Sequence, residues 1–244
     1  MDTIRLDKYL ASQLQISRTD AKKMLRRGEV TVRGKEKITP ETQIDPEQDA
    51  VFAAGKAIGY RAHYYIVLHK PAGVVSATKD AEKTVLDLLP PSLRRTGLFP
   101  AGRLDKDTTG LMLITDDGDF AHRMLSPARH VEKAYEVTLE RNVTEAEQKC
   151  ILEGMRLGEE QLKPAGLRFL REENGLPVYE IVLTEGRYHQ IKRMFGAQKN
   201  PVCALKRIRL GGLALDESLA PGESRMLTEA EVGLILEKRD CQKK

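Results

Sequence analysis

Leu6, Tyr9, Leu10 and Leu14 recur with the spacing of one helical face, so the chain opens with a predicted amphipathic helix. Ser17 then serves as an N-cap with Asp20 three residues on, and Ala21, Met24 and Leu25 share one face of a second helix that Gly28 stops. "EVTVRGK" supplies a short alternating strand and a glycine turn. Further along, the dominant period changes from helical to two. "YYIVLHKPAGVVSAT" is a β-rich run interrupted by Pro71 and Gly73, and "LFPAGRLD", "TGLMLITDDG", "VEKAYEVTLE" and "LPVYEIVLTEG" read as further strands. "TVLDLLP" reads as a short helix ended by Pro90 and Pro91, and "DFAHRMLSP" as another. Capping boxes at Thr144/Glu147 and Thr228/Glu231 open two more helices, the first closing at Gly154.

Between the two patterns lies "AAGKAIGYRAH", residues 53–63, small, glycine-containing and polar, which reads as a linker. The expected organisation is a small domain over residues 1–60 and a larger one over 61–244. Interleaved helices and strands place the larger one in the mixed class, α/β or α+β. At 244 residues the chain has room for two modest domains.

Composition narrows the setting. No apolar run approaches the ~18 residues of a membrane span, and the first eighteen residues lack the apolar core of a signal peptide. Cys150, Cys203 and Cys241 are isolated and odd in number, as expected of reduced thiols in a cytoplasm. The five histidines show no metal-ligand spacing, so no metal is expected.

Charge changes the picture more. The net charge is only +4, but residues 1–40 hold ten Lys or Arg against five Asp or Glu, and residues 187–209 hold seven with no acid. Such asymmetry suits a polyanion, because each cation that neutralises a phosphate releases a counterion. Arg18, Lys22 and Arg26 follow i, i+4, i+8 and form one basic stripe, with Lys23 and Arg27 beside it.

Candidate chemistry centres on "GRLDKDTTG", residues 102–110. In extended chain Arg103 and Asp105 share a face, and a guanidinium beside a carboxylate keeps it ionised. An ionised, positioned carboxylate acts as nucleophile or general base; the same pair can equally close a loop. Tyr135 offers a flat face for a stacked base or an ordinary sheet aromatic, and Lys192 sits in a cationic helix where it can face solvent, a phosphate or Asp105.

Two resemblances join these fragments. "RLDKYLASQLQISRTDAKKMLRRGEVTVRGK" is similar to the small RNA-binding module called the alpha-L motif. "LHKPAGVVSAT", "AGRLDKDTTGLMLITDDG", "EKAYEVTL" and "EGRYHQIKRMF" resemble successive motifs of the RsuA-type pseudouridine synthases, from about Ile4 to beyond "PGESRMLTEAEV". The resemblance implies a small RNA-binding domain joined to a catalytic domain built on a mixed, largely antiparallel sheet. It implies isomerisation of a uridine in RNA, without cofactor or metal. Asp105 would be the catalytic carboxylate, Arg103 would fill the space of the extruded uridine, Tyr135 would stack on its base, and Lys192 would neutralise Asp105, with Arg193 as runner-up. Arg5, Lys8, Arg18, Lys22, Lys23, Arg26 and Arg27 would contact RNA in the first domain, and Arg187, His189, Gln190 and Arg193 in the second.

"RYHQIKRMF" is closer to enzymes acting on 16S rRNA than to those acting on 23S rRNA. The expected partner is therefore 16S rRNA in a small-subunit assembly intermediate, met by a cytoplasmic, bacterial, monomeric protein. Three alternatives stand beside this: action on 23S rRNA, a non-catalytic ribosome-associated RNA-binding protein, and a metal-dependent phosphodiesterase using Asp105, Asp107, Asp116 and Asp117.

Overall fold

The structure, a computed structural model, describes residues 3–126 and 128–237; Cys241 lies outside them. The chain divides into two units between His63 and Tyr64, three residues past the expected boundary.

In the first unit β1 (Ile4–Arg5) leads into α1 (Leu6–Leu14), α2 (Arg18–Arg26) and β2 (Val30–Val32), followed by β3 (Gln43–Ile44), β4 (Val51–Ala53) and β5 (Lys56–Ile58). Ser17 caps α2 by accepting from the Asp20 N–H, as its sequence position implies. Leu6, Tyr9, Leu10, Ala21, Val30, Val32, Ile44 and Val51 form the core.

The expected linker is not one. Ala53 ends β4, Gly55 turns with φ 76°, and β5 returns antiparallel on β4 in a three-stranded sheet. Tyr9 donates to the Ile58 carbonyl at 2.7 Å and stacks on Tyr60, so the segment belongs to the small core. A three-residue strand beside a glycine turn is too short to show a period, which hid it in the sequence.

The second unit is built on one nine-stranded sheet, completing an α+β fold. Its strands are β6 (Tyr65–Lys70), β7 (Phe99–Pro100), β8 (Thr109–Thr115), β9 (Lys133–Leu139), β12 (Gly166–Glu173), β13 (Leu176–Leu183), β14 (Val202–Leu210), β15 (Leu213–Ala214) and β16 (Ser224–Met226). A small hairpin, β10 (Arg156–Leu157) with β11 (Glu160–Gln161), stands apart. The main path runs β12-β13-β9-β14-β8-β6-β16 and is antiparallel except where β14 meets β8. That parallel crossing needs Gly110, since a Cβ there would collide with the Arg207 backbone.

Alternation along the strands sends side chains to two cores. Met112, Ile114, Tyr135 and Val137 face one, with Ile151 of α4 (Glu145–Glu153) and Ile191, Met194 and Phe195 of α5 (Gln190–Ala197). Leu111, Leu113 and Val67 face the other, under α3 (Gly118–Leu125) and α6 (Glu229–Leu236). Both predicted capping boxes are made.

"TVLDLLP" is a chain of turns rather than a helix. Asp87 accepts from the Thr84 N–H and hydroxyl, Arg94 donates to the Leu89 and Asp87 carbonyls, and the apolar side chains of Val85 and Leu89 are buried without a helical turn. Among the described residues no helix is long and apolar enough to cross a membrane.

Candidate active site

Asp105 lies on the loop between β7 and β8, and the β-rich run ahead of that loop holds it in place. Lys70, at the end of β6, is fully buried and spends its ammonium on three carbonyls, those of Pro71, Lys106 and Thr108, at 2.8–3.1 Å. Burial pushes Lys70 down to about 8, against the pull of Asp107 and Asp105. Ser76 donates to the Leu104 carbonyl at 2.7 Å and accepts the Leu104 N–H at 3.0 Å. The Thr108 N–H closes the turn on the Asp105 carbonyl at 3.1 Å. Leu104 is buried between exposed Arg103 and half-buried Asp105, which keeps those two on the open side.

The partners of Asp105 come from α5 and the residue that starts it. Lys192 Nζ lies 3.2 Å from Asp105 Oδ2, and His189 Nε2 lies 3.3 Å from Oδ1. His189 takes a left-handed backbone, φ 46°, at the N-cap of α5, a conformation histidine tolerates better than most residues. Lys192 makes a shorter contact, 2.6 Å, with Asp107. Burial works against the Lys192 charge, but Asp107 and Asp105 outweigh it and hold the ammonium above its usual value. Asp107 is drawn down chiefly by its hydrogen bond from Lys192. Asp107 is thus the second carboxylate on this lysine.

An open cleft begins here, lined by Arg103, Asp105, Tyr135, Leu183, His189 and Lys192. Tyr135 is nine-tenths buried in β9, in register with Ile181 and Arg207. Arg103 is exposed and has no ion pair among the described residues, so the expectation that it guards the Asp105 charge is corrected: His189 and Lys192 occupy that position.

Gln190, expected to touch RNA, is instead an internal brace. It is 4% exposed, donates to Glu185 at 2.7 Å, and accepts the Arg187 N–H at 3.0 Å. Arg187 bonds Glu185, and Arg193 reaches Glu160 at 2.6 Å, away from Asp105. Sequence reasoning missed Lys70, Ser76 and Glu185, whose partners are set by the fold. It also passed over Tyr188, which is 77% exposed and whose ring stacks on His189 at 3.9 Å.

In the first unit the basic residues divide. Arg5 and Arg18 both bond the buried carboxylate of Asp7, while Lys23 pairs with Asp20 and Arg27 with Glu29. Among the described residues Lys8, Lys22 and Arg26 carry no ion pair, so the stripe keeps two of its three cations free.

The aspartates needed by a metal-dependent hydrolase do not converge. Asp116 accepts the Tyr64 N–H, and Asp117 caps α3 and accepts from the Tyr65 hydroxyl. Among the described residues no three His, Cys, Asp or Glu side chains form a cation site.

Comparison with known proteins points one way. A family model described as RNA pseudouridylate synthase matches residues 64–197. Ribosomal small subunit pseudouridine synthase A of Escherichia coli (strain K12) is 41% identical over 236 residues, covering 96% of this chain and 100% of that one. RNA pseudouridine synthase YtzG of Bacillus subtilis (strain 168) is 42% identical over 236 residues, 96% and 99% of the two chains. A solved pseudouridylate synthase structure superposes with a TM-score of 0.66 at 38% identity, over 95% of this chain and 99% of that one.

Proposed function

The chain belongs to the RNA pseudouridylate synthase family, and from that premise we propose that it isomerises one uridine of 16S rRNA with Asp105 as the catalytic carboxylate. In the reaction the N-glycosidic bond breaks, the uracil rotates, and its C5 is joined to C1′ while C5 gives up its proton and the freed N1 takes one. Asp105 either attacks the nucleoside or takes a proton from the sugar. The observation that carries this reading is a partly exposed carboxylate, 27%, set between His189 and Lys192 at the edge of a cleft that also presents Tyr135.

Each neighbour has work suited to its chemistry. Lys192, also held by Asp107, keeps positive charge beside the reacting carboxylate. Tyr135 stacks on the base once it is extruded, and the unpaired Arg103 fills the space left in the RNA. The first unit is an RNA-binding module, with Lys8, Lys22 and Arg26 facing phosphates. The 16S preference draws on the likeness to small-subunit enzymes. A cytoplasmic monomer meeting 16S rRNA in an assembly intermediate is the setting proposed.

Incubation with 16S and 23S rRNA followed by carbodiimide mapping tests this. One new pseudouridine in 16S rRNA is expected; conversion confined to 23S rRNA moves the substrate, and cleavage without conversion removes the reading.

A further inference from the structure

Tyr188 is an unusual residue to leave in water. The chain has no tryptophan and few aromatics, yet this residue is 77% exposed, directly beside the cleft residues Arg187 and His189. Phe169, the other exposed aromatic among the described residues, packs edge-on against Tyr179 in the sheet. Tyr188 has no such neighbour. One face lies on the His189 imidazole, 3.9 Å away and 14° from parallel, and among the described residues its hydroxyl has no partner.

The backbone that carries the ring is also held in place. Gln190 N–H bonds the Arg187 carbonyl, Arg193 N–H bonds the His189 carbonyl, and the Arg193 guanidinium donates to the Tyr188 carbonyl at 3.4 Å. The left-handed His189 fixes the direction of the chain between them. Asp105, His189 and Tyr188 therefore form a short series: carboxylate, imidazole at 3.3 Å, then phenol ring with its far face open.

Extruding a uridine removes a stacking partner from the base next to it, and that loss opposes the reaction. A flat ring stacked on His189 beside the cleft, among the cations Arg187, Lys192 and Arg193, has the chemistry to replace it. We infer that Tyr188 is a stacking platform for the nucleobase adjacent to the target uridine, a subsite distinct from the pocket that takes the uridine itself. The inference rests on the function proposed above.

A double-substitution cycle between protein and RNA tests it. The full-length protein is titrated with an rRNA fragment carrying the uridine it converts. Two further fragments carry an abasic residue at the 5′ or the 3′ neighbour. Tyr188→Ala should weaken binding of the intact fragment roughly five- to a hundredfold, and Tyr188→Phe should restore it. The single-turnover rate at saturating RNA should hold, since the platform binds rather than reacts. One abasic fragment should weaken wild-type binding by a similar factor, with Tyr188→Ala adding nothing further.

Full additivity on both abasic fragments overturns the platform, as does unchanged affinity in Tyr188→Ala. A fall in saturated rate without a change in affinity overturns it too, because Tyr188 would then only position His189. A wild-type protein that converts no uridine in any rRNA brings down the function itself, and this inference with it.

Discussion

Two aspartates in this chain each lie between two nitrogen-bearing side chains. Asp7, in the first unit, is fully buried and accepts four hydrogen bonds, two from Arg5 and two from Arg18, at 3.0–3.2 Å. Asp105, in the second, is 27% exposed and takes one contact each from His189 and Lys192, at 3.3 and 3.2 Å. A carboxylate has about four lone-pair sites, so Asp7 is saturated while Asp105 keeps acceptor capacity towards the cleft. Lys192 is moreover held more closely by Asp107, which leaves Asp105 the less firmly bound of its two carboxylates. Paired contacts alone mark neither structure nor chemistry; burial and spare valence separate a saturated brace from a carboxylate that can still accept.

The difference is broken most strongly at Asp105. Asp105→Asn should lower turnover on the order of a thousandfold or more, while melting and RNA affinity stay near wild type. Mapping of converted uridine beside a binding titration reads both.

Lys192→Met comes next, because it removes the closest fixed positive charge from the carboxylate. A charge at that separation acts with about 1–4 kcal/mol, so turnover should fall roughly ten- to a hundredfold. Arg193→Gln, which loses the contacts with Glu160 and the Tyr188 carbonyl but none with Asp105, should leave turnover at saturating RNA within about twofold. Steady-state rates at saturating RNA distinguish the two.

Lys70→Met should cost about 1–3 kcal/mol in urea unfolding of the second unit, since three loop carbonyls lose their donor. pH sharpens this. Lys70 and Lys133 are both pushed by burial from 10.5 to about 8, so between those values the unfolded chain holds more protons. Stability should therefore rise with pH over about 8 to 10.5, and Lys70→Met should remove part of the rise.

Asp7→Asn should give the smallest loss, about 1–2 kcal/mol, confined to melting of the first unit with saturated turnover unchanged. Burial raises the Asp7 carboxyl, but the hydrogen bonds from Arg5 and Arg18 outweigh it and leave it below its usual value. Its contribution is thus present above the ordinary carboxylate range and lost as pH falls through the lowered value. In Asp7→Asn that acid-side loss should flatten.

Much of this was legible because it is local. Ser17, Thr144 and Thr228 announce their helices through side chains that bond three residues on, and the strand ending at Thr115 announces itself by its apolar run. Asp105 stood out through its motif. The rest depends on residues far apart in the chain. The Lys70 ammonium meets carbonyls 36 and 38 residues away, and Glu185 meets the Lys163 N–H, contacts that no periodicity encodes. Arg103 and Asp105 were placed correctly on one side of their loop, yet adjacency did not make them partners, because Lys192 of α5 and His189 at its N-cap meet Asp105 instead.

The central claim, that the Asp105 carboxylate performs the isomerisation, has a direct chemical readout. Joining C5 to C1′ expels the C5 hydrogen, so 16S rRNA made with tritium at uridine C5 releases label only when the base is rearranged. With wild-type protein in excess, release equal to one uridine per RNA is predicted, and none from Asp105→Asn at the same bound fraction. Release at a comparable rate from Asp105→Asn would contradict the account.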